Sequence, residues 1–473
     1  MSIDATAARA FPGFVDRRGA HHALPAVELG AQVQQADRAH VFHSWSAQRQ
    51  VDPLPVATGL GATFWDYAGN AYLDFSSQAV YLNLGHQHPD LVEAIRRQAG
   101  RLATIQPGFA NDTRSELARR IAAVAPDGME KVFFTNGGAD ANENAVRMAR
   151  IVTGRRKVLA AYRSYHGATS TAISLTGDPR RWPNEPADGS VVHFFGPYAY
   201  RSPFHSTSPE EETGRALEHL EQVIALEGPE TIAAIILETV VGTNGVLVPP
   251  PGYLQGLREL ADRHGILYIA DEVMVGFGRI GEWFAIDAFD ARPDLITFAK
   301  GVNSGYAPLG GVVVSDRVAD HFATRAFPGG LTYSGHPLAA APGVATFDVF
   351  ERDGILARVR DLGERVVRPA LEAMAARHPS VGDVRGRGLF WAIELVRDRA
   401  TREPLVPFNA SGPGAEPMLR LAAAARAGGV WPFTHFNRLH VAPPLVIDED
   451  ELVRGLAVYD EALEIADRYA TAV

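Results

Sequence analysis

The stretch Ile266-Leu267-Tyr268-Ile269-Ala270-Asp271-Glu272-Val273 is five apolar residues closed by two carboxylates. A short continuous apolar run, rather than an alternating one, marks a strand buried on both faces. Such strands belong to mostly parallel sheets with helices on either side, and their ligands bind beyond the carboxyl ends of the strands. Asp271 stands at that end. The same pattern recurs at 131–135, 158–162, 232–237, 295–298 and 311–314. Helical periodicity fills the intervals at 141–152, 214–226 and 252–264, and again at 356–376. This alternation predicts an α/β fold, with a large domain whose mostly parallel sheet is sandwiched by helices.

The flanks read differently. Residues 63–75, 384–396 and 440–445 have strand character, and 448–470 reads as a closing helix. They predict a smaller α+β domain assembled from both ends of the chain. The expected organisation is a loose arm at 1–27, an N-terminal segment of the small domain at 28–75, the large domain at 76–345 and the C-terminal small domain at 346–473. Residues 187–213 carry scattered Pro, Ser and Gly and are expected to form a loop excursion.

The 473 residues are 46% hydrophobic and 21% charged, with a formal net charge of −10. This is ordinary globular usage and excludes a disordered scaffold. An acidic chain without a clustered basic stripe is a poor partner for nucleic acid or an anionic membrane. No stretch reaches the ~18 apolar residues of a membrane span, and the first residues lack a secretory apolar core. A soluble, cytoplasmic protein is expected. Cysteine is absent, which excludes disulfides, thiolate metal sites and cysteine nucleophiles. Only three of the 45 basic residues are lysine: Lys131, Lys157 and Lys300. Lysine can lose its proton when buried and attack a carbonyl, which arginine cannot.

Four features carry chemistry. In Leu295-Ile296-Thr297-Phe298-Ala299-Lys300-Gly301 an apolar strand delivers a lysine to its end. Burial would lower its pKa and expose a nucleophilic amine, although a lysine snorkelling at a strand end reads alike. Asp271 is either an ion-pairing or capping carboxylate or the partner of a protonated ring nitrogen. Phe133-Phe134-Thr135-Asn136-Gly137-Gly138-Ala139-Asp140 reads as strand, glycine turn and helix start. It is either a plain turn or an anion cradle of backbone N–H groups. It matches neither a dinucleotide fingerprint nor a Walker loop. Tyr165 in Tyr165-His166-Gly167 offers a ring that can stack on a flat heteroaromatic. Phosphate cradle, stacking ring, strand-end carboxylate and strand-end lysine together suit one cofactor, pyridoxal 5′-phosphate. No metal ligand set is read.

The order of these motifs resembles the class III, or ω-amino acid, aminotransferases of the aspartate aminotransferase fold family. The likeness includes His43-Ser44-Trp45, Tyr72-Leu73-Asp74-Phe75, Leu84-Gly85-His86, Leu331-Thr332-Tyr333-Ser334-Gly335-His336-Pro337 and Ala442-Pro443-Pro444-Leu445. It implies that Lys300 bonds the cofactor aldehyde and then shuttles the proton, and that Asp271 pairs with the pyridine nitrogen. It further implies that Tyr165 and Val273 cover the two ring faces and that Gly137, Gly138 and Ala139 hold the phosphate. His166 and Glu238 fall beside the cofactor, and Trp45 walls the substrate pocket. Thr332 would reach the phosphate of a partner subunit, making the active unit a homodimer.

Two positions depart from that pattern. Family members that use 2-oxoglutarate carry an arginine three residues before the Pro-Pro pair, gated by a glutamate. Those positions here are His440 and Thr243. Arg438, two residues earlier on the same strand face, is the expected anion clamp, with Arg163 in reserve. Finer wording at Gly177-Asp178-Pro179-Arg180-Arg181-Trp182 and Asn437-Arg438-Leu439-His440 is most similar to taurine aminotransferases. The expected reaction is a two-step transfer from an ω-amino donor to a 2-oxo acid, pyruvate or 2-oxoglutarate. Taurine is the favoured donor, with β-alanine, 4-aminobutyrate and diamines as others. Decarboxylase, racemase or aminomutase chemistry uses the same lysine and aspartate and stays open, as does a cofactor-binding regulator.

Overall fold

The computed structural model describes residues 13–15, 21–23, 27–185 and 189–471. Most of the expected arm at 1–27 therefore lies outside the described residues, apart from the paired strands β1 (Gly13–Val15) and β2 (His21–Ala23). Helix Val27–His40 follows. Strands β3 (Val56–Leu60), β4 (Thr63–Asp66) and β5 (Ala71–Asp74) then form an antiparallel meander. The expected strand at 63–75 is thus two strands and a turn. The Asp66 carboxylate accepts from the backbone N–H groups of Ala68 and Asn70, both at 2.9 Å, and folds the chain back.

The central sheet has seven strands: β6 (Lys131–Thr135), β7 (Lys157–Ala161), β8 (Val191–Phe194), β9 (Ile232–Glu238), β10 (Leu267–Asp271), β11 (Leu295–Phe298) and β12 (Gly310–Val314). Their spatial order is β6-β12-β11-β10-β9-β7-β8. All pairs are parallel except those of β12, which runs against β11 and β6. The expected loop at 187–213 in fact supplies β8, an edge strand, so its apolar Val191-Val192 was structural. Every residue of β9 is buried. Alternate positions serve opposite faces. Ala234 and Ile236 pack with Ala141, Ala145 and Ala149 of helix Gly138–Thr153. Ile235 and Leu237 pack with Leu257 and Leu260 of helix Tyr253–His264. Each fully buried aliphatic side chain contributes about 1.5–3 kcal/mol.

The C-terminal part carries β13 (Val381–Arg387), β14 (Phe390–Asp398), β15 (Glu403–Pro404), β16 (Val430–Trp431), β17 (Phe433–His435) and β18 (Arg438–Val441). The single expected strand at 384–396 is a hairpin. Gly388 turns it with φ +58°, where an added Cβ would lie 2.8 Å from Ile280 Cα. The expected helix at 356–376 is Ile355–Leu362 and Arg368–Arg377 joined by a π turn at Gly363–Val367. Pro369 has no N–H to give, and the helix accommodates it with that wider turn. Strand β16 pairs with β5 in parallel, which ties the two ends of the chain together. Among the described residues no helix is long and apolar enough to cross a membrane.

Candidate active site

The parallel register sets the site. Asp271, the last residue of β10, lies beside Glu238 of β9 and Thr297 of β11. Lys300 follows two residues after β11, and Gly137-Gly138 follow β6. Because β12 runs the other way, its first residue, Gly310, sits at the same edge opposite Thr135. Four strand ends and the start of a fifth strand thus converge where α/β sheets place ligands.

Asp271 is 3% exposed and held from three sides. Its Oδ2 accepts from His166 Nδ1 (2.7 Å) and Asn142 Nδ2 (2.8 Å), and Oδ1 accepts from the Val273 N–H (3.0 Å). Asn142 is itself oriented, since Thr297 Oγ1 donates to its Oδ1 at 2.7 Å. Asn142 was not singled out from the sequence. Its signal is its place in helix Gly138–Thr153, one turn beyond the glycine pair.

Lys300 has φ +46°, a conformation that non-glycine residues rarely adopt. Its amine has no hydrogen bond or ion pair among the described residues. Burial lowers its pKa to about 8, against the opposing pull of Asp271 and Glu238. Glu238 is buried with both oxygens satisfied: Oε1 by the Tyr165 N–H and Oε2 by the Gly242 N–H, each at 2.8 Å. Burial raises its pKa to about 7.

Gly137 caps helix Gly138–Thr153 with no side-chain hydrogen bond, so the first N–H groups of the helix are left for another acceptor. A Cβ at Gly137 would meet no atom within 4 Å, whereas one at Gly138 would lie 2.7 Å from Val273 Cγ1. An open anion cradle, a tripod-held carboxylate and an unpaired buried amine fit pyridoxal phosphate. Gly137, Gly138 and Ala139 would hold its phosphate, Asp271 its ring nitrogen and Lys300 its aldehyde carbon. Thr332 is exposed in the single chain and makes no hydrogen bond to these residues.

The substrate side holds a residue that the sequence reading quoted without a role. The Arg180 guanidinium carbon is 3.7 Å from the centre of the Tyr165 ring and 5.7 Å from that of Trp45. Trp45 and Tyr165 meet edge to face at 6.1 Å. Arg180 is gripped by the buried Asp178, with Nε 3.1 and 3.0 Å from the two carboxylate oxygens and a further bond from Nη2. Asn244 Nδ2 steadies Asp178 from behind at 3.1 Å. Arg180 is also near enough to Lys300 to help lower the pKa of its amine. An acid two residues before an arginine, in Asp178-Pro179-Arg180, was the available signal.

The two departures carry no charge. His440 is fully buried, both ring nitrogens lack partners, and its ring stacks on Phe433 at 4.2 Å. Burial, with His435 and Arg438 adding, holds its pKa well below the usual value, so it is neutral. His435, beside it, is likewise lowered to about 3 by burial and by Arg180. Arg438 and Arg163 lie further along, around Tyr198 and Glu394. Glu394 accepts from Arg385 Nη2 (2.7 Å), Arg201 Nε (2.5 Å) and the Tyr198 hydroxyl. Burial opposes ionisation of Glu394, but Arg385 and Arg438 outweigh it and hold its pKa below the ordinary carboxylate range.

A buried lysine, a tripod-held carboxylate and an open helix N-terminus at one sheet edge suit a pyridoxal-phosphate enzyme of fold type I. The chain belongs to the class-III aminotransferases, whose family model matches residues 46–463. Taurine–pyruvate aminotransferase of Bilophila wadsworthia is 32% identical over 451 residues, 90% of this chain and 96% of that one. Putrescine–pyruvate aminotransferase of Pseudomonas aeruginosa is 36% identical over 404 residues, 83% of this chain and 86% of that one. Among solved structures, the taurine:2-oxoglutarate aminotransferase of Bifidobacterium kashiwanohense, in complex with pyridoxal phosphate and glutamate, superposes with a TM-score of 0.90. It is 41% identical and covers 93% of this chain and 98% of its own. The protein is therefore an aminotransferase that uses pyridoxal phosphate.

Proposed function

We propose that this aminotransferase moves nitrogen from a short ω-amino acid, taurine before others, to a 2-oxo acid in two half-reactions. The observation that carries this reading is Arg180, set over Tyr165 and beside Trp45 and Lys300. In taurine only two carbons separate the amine from the sulfonate. A cation close to Lys300 can hold the sulfonate of such a short donor while its amine lies at the lysine, and a planar guanidinium bridges a sulfonate or a carboxylate. The neighbouring histidines are neutral and cannot take that part.

When bound, the cofactor supplies the aldehyde that accepts the donor's nitrogen and the ring that draws off its electrons. Lys300 Nζ, whose pKa burial lowers to about 8, would take the proton from the donor carbon next to nitrogen and return it to the former aldehyde carbon on the other side of that nitrogen. Asp271, fixed by His166 and Asn142, holds the proton on the ring nitrogen. Tyr165 and Val273 would flank the ring, with Trp45 and Arg180 on the donor's side. Thr332 of a second copy would complete the phosphate cradle, so we read the active unit as a homodimer.

The test is a donor and acceptor screen of the pyridoxal-phosphate-loaded protein. Taurine, β-alanine, 4-aminobutyrate and a diamine are each offered with pyruvate and with 2-oxoglutarate. Taurine should give the highest kcat/KM. A diamine that outperforms every acidic donor would show that Arg180 does not select the substrate.

A further inference from the structure

Arg279 is fully buried, yet its guanidinium meets only neutral acceptors. Its Nη1 donates to the carbonyls of Pro443 (2.5 Å) and Leu389 (3.4 Å). Its Nη2 donates to Asn83 Oδ1 (2.6 Å) and Ser77 Oγ (3.2 Å). Nε has no acceptor among the described residues. The acid that faces it, Asp74, is engaged elsewhere. Asp74 accepts from the Ser76 N–H (2.9 Å), the Ser76 hydroxyl (2.7 Å) and Gln78 Nε2 (2.9 Å), with His86 Nε2 at 3.5 Å. Burial lowers the pKa of Arg279 to about 9, against the pull of Asp74. That stays above the value for Lys300, so near neutral pH the guanidinium keeps its charge. A buried cation without a counter-ion is costly, so packing alone does not account for it.

Asn83 carries the contact onward to the nucleophile. Its Nδ2 donates to the Phe277 carbonyl at 2.7 Å, and a Cβ on Gly301 would lie 2.4 Å from that same nitrogen. Asn83 therefore packs against the residue that follows Lys300. Its neighbours hold the rest of that turn. The Leu84 N–H donates to Ser304 Oγ at 3.2 Å, and a Cβ on Gly305 would lie 2.2 Å from the Tyr81 ring. Lys300 (φ +46°) and Ser304 (φ +54°) both have left-handed backbone, which persists only where the surroundings impose it. Four charged groups face the Lys300 amine: Asp271 and Glu238 favour its proton, while Arg180 and Arg279 oppose it. Asp178 already answers Arg180.

We propose that Arg279 is a positioning residue for the nucleophile: it fixes Asn83 against Gly301, and so the turn that carries Lys300, and it leaves there a positive charge that repels a proton from the amine. A neighbouring cation is one of the ways in which a lysine is made nucleophilic. The proposal rests on the reading of Lys300 as the residue that bonds the cofactor.

The test follows attachment of pyridoxal phosphate to the cofactor-free protein across pH, read after borohydride reduction as mass gained by the peptide carrying Lys300. In the wild-type protein the rate should rise with a midpoint near 8. Arg279→Gln removes the charge and should move that midpoint up by about one unit. Arg279→Lys returns a charge without the fork and should recover most of the shift. Asn83→Ala keeps the charge and loses the brace. Its midpoint should stay in place, while the plateau rate of attachment and the kcat of the loaded enzyme should fall roughly 10-fold or more, with KM little changed. If Arg279→Gln does not fold, Asn83→Asp answers the guanidinium where it stands and should raise the midpoint instead. An unmoved midpoint in Arg279→Gln, or in Asn83→Asp where it stands in, overturns the proposal. So does a shift that Arg279→Lys leaves undiminished, or an Asn83→Ala protein with wild-type rates. Attachment that survives Lys300→Ala strikes the reading of Lys300 and the proposal with it. Attachment lost in Lys300→Ala, with the midpoint unmoved in Arg279→Gln, strikes the proposal alone.

Discussion

Arg180 sits over the ring of Tyr165 with its guanidinium carbon 3.7 Å from the ring centre, and Asp178 holds it there with a bidentate grip. The aromatic face, the cation and the buried acid fix one another. A charge on a long flexible stem is thereby given a single position at the donor's side of the site.

Removing that cation should be felt by anionic donors. Arg180→Ala should raise KM for taurine roughly 10- to 100-fold, in line with loss of a charged hydrogen bond. Arg180→Lys keeps the charge without the planar fork and should recover part of the loss. A neutral primary amine should be much less affected in steady-state kinetics. Equal damage to both donor types would assign Arg180 to folding.

Lys300 should be irreplaceable. Lys300→Ala and Lys300→Arg should both lose the borohydride-reducible link to the cofactor and turnover, because guanidinium cannot form it. Lys131→Arg and Lys157→Arg serve as controls. Lys131 is exposed, and Lys157 holds Glu227 at 2.8 Å, which arginine can also do. Burial puts the Lys300 amine at about 8, and only the neutral amine attacks an aldehyde. The rate of cofactor attachment to the cofactor-free protein should therefore climb with pH through about 8 and level off above it. The unfolded chain binds the proton more tightly. Stability of the cofactor-free protein should accordingly gain from this group as pH rises from about 8 towards the ordinary lysine value.

Asp271→Asn keeps the shape but not the charge facing the ring nitrogen. A fall in kcat on the order of 10²-fold or more is expected, as for other preorganised electrostatic groups. Asn142→Ala, which removes one of the donors that aim Asp271, should lower kcat less and leave KM nearly unchanged. A near-normal kcat in Asp271→Asn would make the aspartate structural only.

Glu394→Gln tests the arginine cluster as architecture. It leaves the buried Arg385 and Arg201 without their shared carboxylate, which should cost about 3–5 kcal/mol in denaturant unfolding. An unchanged unfolding midpoint would mean that solvent already compensates those arginines.

Much of the catalytic edge was legible beforehand. β6 and β11 begin and end where their apolar runs do, and Lys300, Asp271 and Gly137-Gly138 stand beside those ends, so local pattern alone placed them. The hairpins at 63–75 and 384–396 were read as single strands, although Asp66-Tyr67-Ala68-Gly69-Asn70 and Arg385-Gly386-Arg387-Gly388 carry the turn residues that fold each back. Sequence missed β8 because an edge strand needs little apolar surface. It gave Arg180 no part, because a motif does not record which buried acid answers which arginine.

By itself, then, the sequence determined what depends on near neighbours along the chain: strand identity, the lysine and aspartate at strand ends, and the glycine turn opening onto a helix. Only the tertiary structure decided the charge of each group. Arg438 and Arg163 crowd around Glu394, and His440, whose ring nitrogens lack hydrogen-bond partners, is buried and left neutral. Charge in a folded protein follows from burial and from partners hundreds of residues apart, and neither distance nor desolvation is written in the local sequence.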